Sequence, residues 1–264
     1  MSMQIALTIA GSDSGGGAGI QADLKTFHQF GVFGTSVIVA VTAQNTRGVR
    51  SVHEVPAELV QDQLAVLAED LPPAALKTGM LASSALVRQV AGAIGGYGWR
   101  RVVVDPVMVA TSGDRLLDPG AEAVILEQLL PLATLVTPNL EEAALLSGIA
   151  IHDVESMERA GRRILESGAD AVLVKGGHLA GPALVDVLVS ARGSRHFSHP
   201  RIPTTSTHGT GCTLSAAITA GLALGRDLDA AVSDALAYVQ RALAAAPGLG
   251  GGRGPLNHGV PARE

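Results

Sequence analysis

Two hydrophobic periods alternate along this chain almost from end to end. Short β-branched runs at 5–10, 36–41, 102–105, 134–136 and 171–174 predict strands, and they are apolar on both faces. A strand without a polar side has to be covered above and below, so the sheet is expected to be mostly parallel with helices on each face. Apolar residues three and four apart predict those helices over 20–30, 57–69, 83–94, 120–130, 140–146, 156–167, 213–224 and 229–245. Residues 184–189 and 194–198, joined by Ala191-Arg192-Gly193, predict a hairpin that makes one edge of the sheet antiparallel. No internal repeat, linker or charge block divides the chain, so one domain over 1–264 is expected, a three-layer α/β/α sandwich. The tail at 248–255 is too glycine-rich for a regular element and predicts a mobile closing segment or a frayed end.

Composition adds the compartment and removes several function classes. The 47% hydrophobic content is mostly Ala, Val and Leu, and the 32 glycines fall largely at strand-to-helix junctions, which suits a tightly packed layer protein. A lone cysteine, Cys212, excludes an internal disulfide and any cysteine-based zinc cluster. The net charge of -5, with no basic stripe, argues against a nucleic-acid partner. The first residues carry no basic region, and no apolar run is long enough to span a membrane, so a cytoplasmic protein is expected.

Candidate chemistry gathers where the predicted strands end, the edge at which open parallel sheets bind ligands. Thr207-His208-Gly209-Thr210-Gly211-Cys212-Thr213 runs from a glycine-punctuated turn into an apolar helix. The first amides of a helix lack internal partners and carry the positive end of its dipole, so an uncovered start suits a phosphoryl group. The same segment also reads as a capped loop with a small buried cysteine. Gly11 to Gly19 is a second glycine-rich loop that matches neither the dinucleotide fingerprint nor the P-loop. Asp23 falls beside the buried stripe of Ile20, Leu24 and Phe27, where a carboxylate needs a partner; it is a substrate contact or an acid placed by the helix dipole.

Four more junctions are polar. Gln44, in Val41-Thr42-Ala43-Gln44-Asn45-Thr46, offers an acceptor and a donor side by side, matching the edge of an aminopyrimidine, although turn chemistry also accounts for its neighbours. Asp105 ends a strand where a carboxylate can hold Mg²⁺. Asn139 and Glu142 have capping-box spacing, which competes with a metal role for Glu142. Lys175 ends the last such strand, in Lys175-Gly176-Gly177-His178. Two acids able to position a metal, a lysine, two glycine loops and an amide-lined helix start describe phosphoryl transfer without a P-loop. His28, His53, His152 and His196 lack metal-ligand spacing and are expected at the surface or in packing.

Taken as a set, these motifs resemble the hydroxymethylpyrimidine and phosphomethylpyrimidine kinases of thiamin biosynthesis, within the ribokinase-like fold. The match runs from Ile9-Ala10-Gly11-Ser12-Asp13 through Thr42-Ala43-Gln44-Asn45-Thr46, Lys77-Thr78-Gly79-Met80, Asp105-Pro106-Val107-Met108 and Thr137-Pro138-Asn139 to Gly254-Pro255-Leu256-Asn257-His258. The resemblance implies ATP-dependent phosphorylation of 4-amino-5-hydroxymethyl-2-methylpyrimidine and then of its monophosphate. It implies that Gly11, Asp23, Gln44, Met80 and Val107 surround the pyrimidine and that Asp105, Asn139 and Glu142 organise Mg²⁺ and phosphates. Lys175 and Thr210 would face the nucleotide, and Gly209, Thr210, Gly211 and Cys212 would form the anion hole. The partners expected are the small pyrimidine, ATP and a second copy in a homodimer.

Cys212 stands where most of the wider superfamily has an aspartate base, which narrows the resemblance to the pyrimidine kinases or pyridoxal kinases that also carry cysteine. A helix N-terminus is expected to lower this thiol enough to accept the alcohol proton. A pyridoxal or pyridoxine kinase and a pyrimidine-binding regulator without turnover are the competing readings; Gln44 weighs against the first and the intact acids, Lys175 and Cys212 against the second.

Overall fold

This computed structural model describes residues 3–108, 120–177 and 183–263. Its centre is one nine-stranded sheet. The first five strands in chain order are β1 (Ile5–Asp13), β2 (Phe33–Asn45), β3 (Gly48–Glu54), β4 (Ala75–Thr78) and β5 (Val102–Val104). β6 (Leu135–Val136), β7 (Ala171–Val174), β8 (Ala183–Ser190) and β9 (Gly193–Pro200) complete it. In space they lie in the order β3-β2-β1-β4-β5-β6-β7-β8-β9. The run from β2 to β7 pairs in parallel, so six strands present their carboxyl ends along one edge. β8 and β9 form the expected antiparallel hairpin, and a second antiparallel strand, β3, closes the opposite edge.

Strand alternation sends neighbouring residues to opposite faces, and the core divides accordingly. Leu7, Ile9, Val172 and Val174 pack on one side under α2 (Ala57–Asp70), α3 (Ser84–Gly96), α5 (Leu140–Ser147) and α6 (Val154–Leu165). Ala6, Ala171 and Leu173 pack on the other, against α1 (Gly19–Gln29), α7 (Thr210–Ala223) and α8 (Leu228–Ala244). The three-layer sandwich expected from the pattern is therefore present.

Several departures have local causes. The expected helix over 120–130 begins as α4 (Ala121–Val124) but continues as a π-turn over Ile125–Leu129 and a 3₁₀ turn over Leu130–Leu132, where Pro131 ends regular bonding. β3 escapes a pattern search because Gly48–Glu54 is largely exposed and has no apolar face. β4 escapes because Lys77 interrupts its apolar run, yet all four of its residues are buried. β1 continues past residue 10 to Asp13 through a register shift at Ala10/Gly11, carrying Asp13 to the ligand edge. α7 starts at Thr210 rather than 213, because Gly209 supplies a left-handed φ of 82° that turns the chain straight into the helix. The tail at 248–255 is irregular, as expected, but it docks: Arg253 N donates to Thr46 O at 2.8 Å and His208 N to Gly254 O at 3.0 Å.

Candidate active site

The carboxyl ends of the parallel strands open into a cavity of about 620 Å³. Gly11, Gln44, Met80 and Val107 line it, as do Asp105, Asn139, Glu142 and Lys175, together with Gly209 to Cys212. One of the sequence-derived candidates is absent from its wall. Asp23 is wholly buried beneath the cavity, where Lys77 Nζ donates to both carboxylate oxygens at 3.0 and 3.1 Å and Thr8 Oγ1 donates at 2.6 Å. The substrate-contact expectation for Asp23 is thus corrected: the partner its position requires is another side chain of the protein. His178 lies outside the described residues.

The start of α7, expected from the sequence to receive an anion, is built by close backbone approach. Gly209 has no side-chain cap to offer, and a Cβ placed on it would lie 1.9 Å from Gly17 O, so the two glycine loops fit together only without side chains there. Thr210 Oγ1 turns away to Thr207 O at 2.8 Å. The amides of Gly211 and Cys212 have no acceptor among the described residues, which leaves them open for an anion. A Cβ on Gly211 would meet Lys175 Nζ at 3.2 Å and Asp105 Oδ2 at 3.4 Å, so the charged pair sits directly against this helix start.

Lys175 Nζ donates to Asp105 Oδ1 at 3.1 Å, and Thr137 Oγ1 donates to the same oxygen at 3.2 Å. Burial alone would lower the Lys175 ammonium, but Asp105 and Glu142 outweigh it and hold it above the usual lysine range. Glu142 forms the complete capping box: its Oε2 accepts from Asn139 N at 2.8 Å, and Asn139 Oδ1 accepts from Glu142 N at 2.9 Å. Burial nevertheless pushes its carboxyl up to about 7, and the nearby Asp105 adds to this, while Lys175 and the Asn139 and Met108 amides pull the other way. A carboxylate buried beside a second acid is suited to a cation arriving with a ligand. No group of three or more metal-binding side chains occurs among the described residues.

The Cys212 expectation needs correction. Burial pushes the thiol up to about 11; Lys77 pulls it down, while the Asp23 and Asp105 carboxylates push it further up. Burial and two acids outweigh the start of the helix, so the resting thiol is protonated near neutral pH.

A family model described as phosphomethylpyrimidine kinase matches residues 13–257. The chain belongs to the phosphomethylpyrimidine kinase family. It is 54% identical over 257 residues to a hydroxymethylpyrimidine/phosphomethylpyrimidine kinase of Rhizobium meliloti, covering 96% of each chain. The crystal structure of a phosphomethylpyrimidine kinase from Clostridium difficile aligns with a TM-score of 0.81 at 44% identity, covering 90% of this chain and 98% of that one. The pyridoxal kinase of Staphylococcus aureus, in complex with AMP-PCP and pyridoxal, aligns with a TM-score of 0.91 at 34% identity, covering 98% and 94%. The enzyme is accordingly a phosphotransferase with the ribokinase-like fold.

Motif reading found most of the cavity wall but missed its bracing. Asp13, Thr42, His208 and Arg253 also line it. The signal for Asp13 was its place inside the glycine loop, where three consecutive small residues leave amides in need of an acceptor. The four histidines set aside from the sequence are all exposed.

Proposed function

We propose that this enzyme transfers the γ-phosphoryl group of ATP to 4-amino-5-hydroxymethyl-2-methylpyrimidine and then to the resulting monophosphate, giving the diphosphate used in thiamin biosynthesis. The observation that carries the reading is one cavity holding both an aminopyrimidine-matching side chain, Gln44, and an uncovered helix start beside a Lys–Asp pair. Gly11, Met80 and Val107 form the walls around the ring. The amides of Gly211 and Cys212, with Lys175, receive the transferring group. Asn139 orients the nucleotide, and Thr210, whose hydroxyl is committed to Thr207 O, borders it. Asp105 and Glu142 would hold Mg²⁺, which would supply positive charge to offset that on the phosphoryl oxygens. The complex of the Staphylococcus aureus relative with AMP-PCP, an ATP analogue, supports ATP as the donor.

In the first transfer the hydroxymethyl oxygen forms the new P–O bond, the bond from phosphorus to the β,γ-bridging oxygen breaks, and the alcohol proton leaves. Because the thiol at Cys212 is held protonated, the acceptor is its small thiolate fraction, about one molecule in 10⁴ at pH 7 for a pKa near 11. The loose transition state of phosphoryl transfer lets deprotonation come late, so positioning and amides carry most of the acceleration. In the second transfer the nucleophile is a phosphate oxygen, already ionised, and needs no base.

The pyridoxal-kinase alternative has the weaker support, since relatives named for the pyrimidine activity share more of this sequence. A single domain fits the continuous sheet from β1 to β9. Val41 and Val52, exposed on β2 and β3, leave apolar surface for the second copy of a homodimer. A cytoplasmic location fits the absence, among the described residues, of a helix long and apolar enough to cross a membrane. The test is product mass: with ATP and Mg²⁺, the pyrimidine alcohol should gain one phosphate and then a second, while pyridoxal gains little; a preference for pyridoxal would overturn the reading.

A further inference from the structure

Asp13 sits 3% exposed at the end of β1 and collects an unusual number of donors. Its Oδ1 accepts from Gly15 N at 2.8 Å; its Oδ2 accepts from Gly17 N at 3.0 Å and Ala18 N at 2.9 Å and faces His208 Nε2 at 2.8 Å. Burial alone would raise this carboxyl, but the His208 bond and the Gly15 and Ala18 amides outweigh it and keep it below the usual range. An ionised carboxylate offers acceptors only, so Nε2 of His208 carries a hydrogen and points it at Asp13.

That hydrogen constrains Gln44, whose amide is placed with Nε2 3.4 Å from the same His208 Nε2. A donor facing a donor is unfavourable, so the carbonyl of Gln44 belongs on the His208 side. The other end of the amide gives the same answer. Thr42 Oγ1 has one hydrogen, which goes to Ser12 O at 2.9 Å, and Gln44 Oε1 is placed 3.3 Å away, so that both ends of the amide face the wrong partner until its oxygen and nitrogen are exchanged. With its hydrogen committed, the hydroxyl can only accept from Gln44, which requires the NH₂ on the Thr42 side. Amide oxygen and nitrogen have nearly the same outline, so the hydrogen-bond network decides their assignment.

We infer that the Asp13–His208 pair is a specificity-determining positioning device: it locks the Gln44 amide with its carbonyl toward His208, and thereby selects an aminopyrimidine and the direction in which its ring enters. The inference rests on the pyrimidine reading given above. Along the recognised edge of the substrate the order is hydroxymethyl, exocyclic amine, ring nitrogen. Along the protein the order is the Gly209–Cys212 helix start, His208 with the Gln44 carbonyl, and the Gln44 NH₂ with Thr42. Matching amine to carbonyl and ring nitrogen to NH₂ therefore directs the hydroxymethyl group to the anion hole. The opposite amide orientation would recognise the same ring turned over, with its alcohol away from the phosphates. It would also suit a 4-oxo pyrimidine, whose carbonyl and ring N–H present the reversed pattern.

The test compares kcat/KM for the aminopyrimidine alcohol and for its 4-oxo analogue in wild type, His208→Leu, His208→Asn and Thr42→Val. Wild type should favour the amine by about 10–10²-fold, the effect of leaving one or two buried polar groups without partners. His208→Leu frees the amide to rotate, so the ratio should collapse toward unity with a gain in absolute kcat/KM for the oxo analogue, a gain that misfolding cannot produce. His208→Asn keeps an N–H donor and should retain most of the preference, and Thr42→Val should lose part of it. A His208→Leu enzyme in which both substrates fall together at a constant ratio would overturn the inference and leave the pyrimidine reading standing. Wild-type protein that phosphorylates neither alcohol would reject that reading and the inference with it.

Discussion

Two lysine–aspartate pairs stand at the ends of parallel strands, nearly identical in chemistry and opposite in use. Lys77–Asp23 is 3.0 Å long with both side chains fully buried, while Lys175–Asp105 is 3.1 Å long with the lysine 16% and the acid 2% exposed. The sealed pair has Thr8 as its further partner and no opening to the cavity. The open pair lies against Gly211, where only the missing Cβ separates it from the helix start. A sliver of exposure thus separates a brace from the pair proposed to handle phosphate. Asp23, taken from motif position as a substrate contact, belongs to the brace.

The largest effect expected from this contrast is on stability. Lys77→Met leaves the Asp23 carboxylate buried without its countercharge, with only the Thr8 hydroxyl on it, which should cost about 3–5 kcal/mol in denaturant unfolding. Adding Asp23→Leu should recover much of that loss, since apolar replacement of a buried pair is often neutral. A double variant no more stable than the single one would mean that Lys77 acts through something other than Asp23. Lys175→Met should behave in the reverse way. It should slow both phosphorylations by about 10²–10³-fold, the loss typical of one aimed electrostatic group, while the midpoint of unfolding moves little. Loss of stability without loss of rate would erase the distinction between the pairs.

How far these roles were legible in the sequence follows from the same contrast. Parallel strands, covering helices, the edge hairpin and the glycine turn into α7 all leave periodic or punctuated signals, and they are present. β4 left none, because a lysine in an apolar run looks like a break until its buried partner, 54 positions away in sequence, is known. The depth of Asp23 was invisible for the same reason. The glycine loops were readable as loops, but the 1.9 Å approach that a Gly209 Cβ would make to Gly17 O is a tertiary fact. Spacing proposed the capping box at Asn139 and Glu142, and both bonds form. Cys212 shows the limit most clearly: local position argued for a lowered thiol, and burial with two distant acids reversed the sign.

Smaller effects sharpen the contrast at the open site. With the Cys212 thiol at about 11, the thiolate base becomes available only as pH rises, so alcohol phosphorylation should climb between pH 7 and 9 in wild type. Cys212→Ala should flatten that climb and lower the alcohol rate by about 10²-fold or more, with a lesser loss on the monophosphate. Equal losses on both substrates would remove the base from the scheme.

Glu142 should give the smallest change. Its folded pKa, about 7, lies above the ordinary value of 4.5, so its contribution to stability is complete below pH 4.5 and is lost as pH rises through 7. Glu142→Gln should therefore gain stability relative to wild type between pH 5 and 8, while needing more Mg²⁺ for half-maximal rate. A parallel pair of stability curves with unchanged Mg²⁺ dependence would leave the residue as a helix cap alone.

The central claim is that one cavity, with one helix start and one open Lys–Asp pair, performs both phosphorylations. Alternative-substrate kinetics at saturating ATP tests it most directly. The monophosphate should inhibit phosphorylation of the pyrimidine alcohol competitively, with an inhibition constant equal to its own KM as a substrate. Noncompetitive inhibition, with the alcohol still turned over while the monophosphate is saturating, would place the two reactions at separate sites and contradict the account.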